Sequence, residues 1–374
     1  MKPILLLISL ISVILTVSSC SPLKKTSEDP TVKKIEKEQP ITVKVVVVNM
    51  FEIGEDSGDK AGEFQLWKEG QALNTQYEFP QGFHDLYLNK ETGVLGMVTG
   101  MGTARATAAI MALGLDPRFD LTQAYWLVAG IAGVDPHDAS IGSAVWATWL
   151  VDGDLAHQID ARETPKDWAT GYFPLFSHGP YTDKTVNDTS HQPNGEVYKI
   201  NAELADWAYH LTKNTPLTDY PKMQKLRAKY VNYPNAQLPP FVLKGDHMAA
   251  STFWHGKLLN EWANSWSAFW SNNEANFVTS GMEDTGSYQA LTYLDKAGKA
   301  DKNRFMVLRT ASNYSMPPDS LSAAENLKME SGEDGFAGMQ SSLESAYSVG
   351  SIVVNNIVAN WPTYKDTLPY KVEK

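Results

Sequence analysis

Apolar residues fall in short β-branched runs, and longer stretches between some of them carry apolar positions at helical spacing. ITVKVVVVNMF (41–51) is nearly continuous and predicts a buried strand. GVLGMVTGMG (93–102) and AYWLVAGIAG (124–133) predict strands that end in glycines. SAVWATWLVDGD (143–154) and NRFMVLRTASN (303–313) predict two more. Helical spacing covers ARATAAIMALGL (104–115), NAELADWAYHLTKN (201–214, with Asn201 as N-cap), the segment after Asp284, and residues 346–361. Strands alternating with helices predict an α/β fold, its sheet covered on both faces. No internal repeat is present. Residues 155–200 and 215–245 are rich in Pro, Gly, Asn and Tyr and read as long ordered loops, the kind that serve as lids.

The first residues, MKPILLLISLISVILTVSSC, have another pattern. One lysine precedes an apolar run over 4–17, about 21 Å as a helix, short of a ~30 Å hydrocarbon core. This reads as a signal peptide (1–19) and not as a permanent span. The chain has one cysteine, Cys20, at the point where a bacterial lipobox places its lipidated residue; the alternative is plain secretion with an incidental cysteine. No intramolecular disulfide can form. Ser21 after it suggests the outer membrane, so the expected location is the cell envelope, lipid-anchored on the periplasmic side. Residues 20–40 are charged and Pro-containing, a flexible tether. A single domain is expected over 41–374, with insertions around 155–245.

Composition narrows the partners. Over 374 residues, 43% are hydrophobic and 20% charged, as in a globular protein, and the net charge of −11 disfavours nucleic acid. No H-E-x-x-H or cysteine cluster is present, so neither metal nor cofactor is expected.

The candidate chemistry sits at the ends of strands. Val98–Gly102 and Val128–Gly133 are strand-to-glycine junctions, neither of them a dinucleotide fingerprint. Ligands of open α/β sheets lie beyond such ends, and glycine admits close approach. Met282-Glu283-Asp284 opens a helix. Its carboxylates suit an N-terminus, where they satisfy free amides. Alternatively, Met and Glu face a ligand with two adjacent hydroxyls.

TGMGTARATAAIMAL, VAGIAGVDPHDASIGSAVWA, SGMEDTGSYQAL and VLRTASNYSMPP, in this order, resemble the purine nucleoside permease family over most of 41–365. More distantly they are similar to the nucleoside phosphorylase and nucleosidase superfamily. The resemblance implies a three-layer α/β/α sandwich with a mixed central sheet and a purine nucleoside site at the strand ends. It implies that Met282 and Glu283 grip the sugar, with Gly130, Ile131 and Ala132 nearby. It places Asn313 where nucleosidases carry a proton-donating Asp; an amide can only donate a hydrogen bond, so Asp284 is the candidate acid. It asks for a base just after the first strand: Glu55 is preferred over Glu52 because Gly54 offers a turn. Trp254 would stack on the purine and His255 hydrogen-bond it, or both are core residues. No Arg precedes Gly130, which favours water over phosphate as acceptor; Arg105 is the nearest alternative anion ligand, or is simply solvated. Hydrolysis of purine nucleosides is the leading expectation. A non-catalytic nucleoside-binding component serving a separate transporter, and phosphorolysis, are the alternatives. Self-association is left open.

Overall fold

The computed structural model describes residues 39–180, 193–330 and 337–371. The leader expected at 1–19 and the tether up to residue 38 lie outside the described residues, as do 181–192 of the expected lid-type loops.

One mixed sheet of twelve described strands organises the chain. They are β1 (Val45–Asn49), β2 (Thr75–Tyr77), β3 (Leu86–Asn89), β4 (Val94–Val98), β5 (Tyr125–Val134) and β6 (Ala144–Trp146). There follow β7 (Trp149–Asp152), β8 (Val197–Lys199), β9 (Val242–Lys244), β10 (Asp246–Ala249), β11 (Phe277–Gly281) and β12 (Phe305–Tyr314). The main path runs β8-β7-β10-β11-β5-β1-β4-β3-β2, while β12 pairs with β5 and β6, and β6 with β9. The central pairs β1–β4, β1–β5 and β5–β12 are parallel.

Helices cover both faces: α1 (Thr103–Gly114) and α4 (Asp284–Lys296) one, α2 (Ala202–Thr212) and α5 (Met339–Ala359) the other; α3 (Lys257–Trp270) packs beside β10 and β11. The alternation of β1 shows why the layers form. Val46 and Val48 join the core with Ile110 and Leu113 of α1 and Leu291 and Leu294 of α4. Val45 and Val47 join Val349, Val353 and Ile357 of α5. A strand buried on both faces needs apolar residues at every position, as the sequence reading required. Asn201 caps α2 as expected, accepting from the Leu204 N–H at 3.2 Å.

Two expectations change. The strand expected over 143–154 is broken, because Asp246 Oδ1 accepts from the N–H groups of Thr148 (3.1 Å) and Trp149 (2.8 Å) where the chain leaves one set of partners for another. The expected loop regions also hold sheet and helix: 155–200 contains β8, and 215–245 contains β9 and a helix, Pro221–Arg227. Among the described residues no helix is long and apolar enough to cross a membrane.

Candidate functional site

At the carboxyl ends of β1, β4, β11 and β12 lies a cavity of about 370 Å³. β12 supplies two of its wall residues through a bulge. Ala311 pairs with Ala132 and Asn313 with Gly133, so Ser312 is an inserted residue. Regular alternation would send neighbours to opposite faces; the bulge brings both Ser312 and Asn313 to the cavity.

A buried charged cluster forms the floor. Phe305 and Val307 of β12 point toward α1 and α4, and the same parity sends Arg309 to that side. Arg309 Nη2 donates to Glu283 Oε2 at 2.9 Å and also to Asp284 Oδ2; Nε donates to Asp284 Oδ1 at 3.2 Å, and Nη1 to the Ile131 carbonyl at 3.0 Å. Glu283 Oε1 accepts from the Gly102 N–H at 3.0 Å. Gly102 has φ +100°, a conformation open to glycine, and this turn aims its N–H at the carboxylate. Burial by itself would raise the Asp284 carboxyl, but Arg309 first and His247 next outweigh it and hold it well below the carboxylate range.

Glu63 completes the cluster. Its oxygens accept from the N–H groups of Met50 and Ile131, both at 2.8 Å. Burial pushes its carboxyl up to about 8, against the lowering pull of Arg309. Glu52 holds the loop that delivers it, accepting from the N–H groups of Ile53 (2.7 Å), Phe64 (2.9 Å), Gln65 (2.6 Å) and Gly62.

The sequence-derived residues divide as follows. Met282, Glu283, Ile131, Ala132, Asn313 and Trp254 all line the cavity. Asn313 Oδ1 accepts from Ser312 Oγ at 2.8 Å, and Nδ2 donates to the Tyr314 carbonyl at 3.1 Å. Trp254 is braced by Trp262 and Phe277, with ring centroids at 6.0 and 5.9 Å. Glu55 does not reach the cavity: it is exposed, because its turn faces outward, its N–H on Asp59. Asp284 lies behind Glu283, off the cavity wall, and stays ionised between Arg309 and His247, which leaves it no proton to give. Neither Glu283 nor Asp284 makes a side-chain hydrogen bond to the amides of its own helix, although Asp284 stands in the first turn, where a carboxylate opposes the dipole. His255 is outside the wall, with Nε2 facing Asn326 Nδ2 at 3.1 Å. Gly130 does not admit a ligand; it makes room for protein atoms, since an ideal Cβ there would stand 2.6 Å from Glu63 Oε1 and 2.9 Å from Arg309 Nη1. Arg105 is exposed over the Phe83 ring.

Sequence reasoning missed Glu63, Arg309 and His247. Arg309 carried a signal, a lone cation within the otherwise uncharged FMVLRTASNY, all ten residues buried. Glu63 carried none, since its position depends on how the loop after β1 folds back.

A mostly apolar cavity with a few convergent polar groups at strand ends is the usual place of a small-molecule site in an α/β protein. The chain belongs to the purine nucleoside permease family, whose model matches residues 42–369. A purine nucleoside permease of Candida albicans is 31% identical over 321 residues, covering 85% of this chain and 75% of that protein. A probable purine nucleoside permease of Schizosaccharomyces pombe is 26% identical over 322 residues, covering 85% and 90%. Among solved structures, a putative 5'-methylthioadenosine/S-adenosylhomocysteine nucleosidase from Francisella philomiragia overlaps with a TM-score of 0.47 at 14% identity, covering 83% of this chain and 98% of that one. The futalosine hydrolase of Helicobacter pylori overlaps with a TM-score of 0.46 at 14% identity, covering 84% and 98%. At that level of overlap no residue role carries across.

Proposed function

We propose that this protein binds purine nucleosides in the cavity and cleaves their N-glycosidic bond with water. The observation that carries this reading is the convergence of Glu63, Glu283 and Asn313 on one mostly apolar cavity. Glu283, fixed by Arg309 and Gly102, keeps lone-pair capacity on Oε1 for a sugar hydroxyl, and Met282 covers the sugar's apolar edge. Trp254 offers a face to the purine, and Asn313 an amide to its edge. Glu63 replaces Glu55 as the base: a carboxyl near 8 is matched to proton transfer around neutrality. Water then attacks the sugar carbon as its bond to the base nitrogen breaks; one water proton passes to Glu63, the bonding pair leaves with the purine, whose charge the Asn313 amide offsets by a hydrogen bond, and the freed base takes its proton from solvent.

Water is preferred to phosphate because Arg309, the one cation in the cavity wall among the described residues, already donates to Glu283, Asp284 and Ile131. The leader and Cys20 support anchoring on the cell envelope, where released base and sugar would feed uptake. The test is free base released from adenosine, inosine or guanosine by the detergent-solubilised full chain in phosphate-free buffer. Release lost in Glu283→Ala supports hydrolysis. Release only with added phosphate replaces it with phosphorolysis. Saturable binding without product replaces it with a capture protein that serves a separate transporter.

A further inference from the structure

His247, on β10, is fully buried and does not line the cavity. Its Nδ1 lies 2.9 Å from Thr279 Oγ1 on β11. Its Nε2 lies 3.0 Å from Asp284 Oδ2, at ion-pair distance though off the line of a straight hydrogen bond. Asp284 in turn takes the Nε–Nη2 edge of Arg309, whose Nη2 also reaches Glu283. Room for this row exists because residue 281 is glycine: an ideal Cβ there would stand 2.8 Å from His247 Cε1 and 3.2 Å from Arg309 Cζ.

The row explains an oddity of α4. Asp284 is its first residue, where a carboxylate is drawn to the free amides of its own helix. It makes no such contact; His247 and Arg309 hold it instead. We infer that His247 is a positioning residue of the cavity: braced by Thr279, it keeps Asp284 turned toward Arg309, which fixes the guanidinium plane and with it the Glu283 carboxylate at the cavity wall. The nucleoside reading enters only in naming what Glu283 grips.

The experiment compares the full chain with His247→Gln, which retains a donor, His247→Phe, which does not, and Thr279→Val, which keeps the imidazole and removes its brace. Two quantities are read on variants that keep their near-UV circular dichroism. One is the nucleoside dissociation constant. The other is the ¹⁵N–¹H signal of the Arg309 Nε–H, assigned by its loss in Arg309→Lys. Wild type and His247→Gln should give a sharp, slowly exchanging signal and similar affinities. Thr279→Val and His247→Phe should broaden the signal and weaken binding on the order of tenfold, the scale of one hydrogen bond to a charged group. If His247→Phe does not fold, Thr279→Val decides. An unchanged signal and affinity in folded Thr279→Val overturns the inference. If the wild-type protein binds no nucleoside, the proposed function falls, and the Arg309 signal alone decides the role of His247: broadening supports it and a sharp signal overturns it.

Discussion

Arg309 lies across the sheet from Gly130 and crowds the place that a side chain there would need. The two residues pair across the parallel strands β5 and β12, and an ideal Cβ on Gly130 lies 2.9 Å from Arg309 Nη1. The missing side chain at Gly130 leaves space for Met50, Glu63 and Arg309 to meet.

Gly130→Ala should therefore disrupt the cluster. The new methyl would meet Met50 Cε at 2.0 Å as well as Glu63 Oε1, so the floor of the cavity must shift. Overpacking of this kind costs about 1–3 kcal/mol. Urea unfolding should show that loss, and nucleoside affinity should fall with it; unchanged stability and affinity would mean that the cluster is not confined as described.

Asp284→Asn should destabilise by roughly 3–5 kcal/mol, because it leaves the buried Arg309 with one carboxylate fewer. The folded carboxyl lies below its ordinary value, so its contribution is present above about pH 4 and is lost as pH falls toward the folded value. Denaturant midpoints between pH 2 and 6 should show a steep acid limb in the wild type and a shallower one in the variant.

Glu63 has the opposite sign. Its folded value, about 8, exceeds the ordinary 4.5, so its contribution is full below pH 4.5 and is lost as pH rises to 8. The slope approaches roughly 1.4 kcal/mol per pH unit within that window. Glu63→Gln should flatten it, as measured by urea titrations at pH 5, 6.5 and 8.

The same group sets the pH profile of the proposed reaction. A base must be ionised, so kcat/KM should rise with pH and level off above about 8. Glu63→Gln should lower cleavage by about 10²–10⁴. A rate that falls across the same range would assign Glu63 as the proton donor instead.

Much of the fold was legible along the chain, for local reasons. Runs such as VVVV and FMVL suit burial on both faces, and Asn201 before a helical repeat can cap it directly. The strand over 143–154 was misread because its break depends on Asp246, about a hundred residues further on. Met282, Glu283, Asn313 and Trp254, which line the cavity, could be picked from the sequence because each sits in a contiguous stretch.

The sequence by itself determined the alternation of elements, the glycine-ended junctions and the Met282–Glu283 pair, since each rests on neighbours in the chain. Only the tertiary structure decided which carboxylates face the cavity. Glu55 turns outward while Glu63 is folded back onto Met50 and Ile131. Asp284 is withdrawn behind Glu283 because Arg309 and His247, from two other strands, outcompete the amides of its own helix. Charge pairing in a low-dielectric interior acts over a few ångströms of space, whatever the distance along the chain, so no local pattern could have disclosed it.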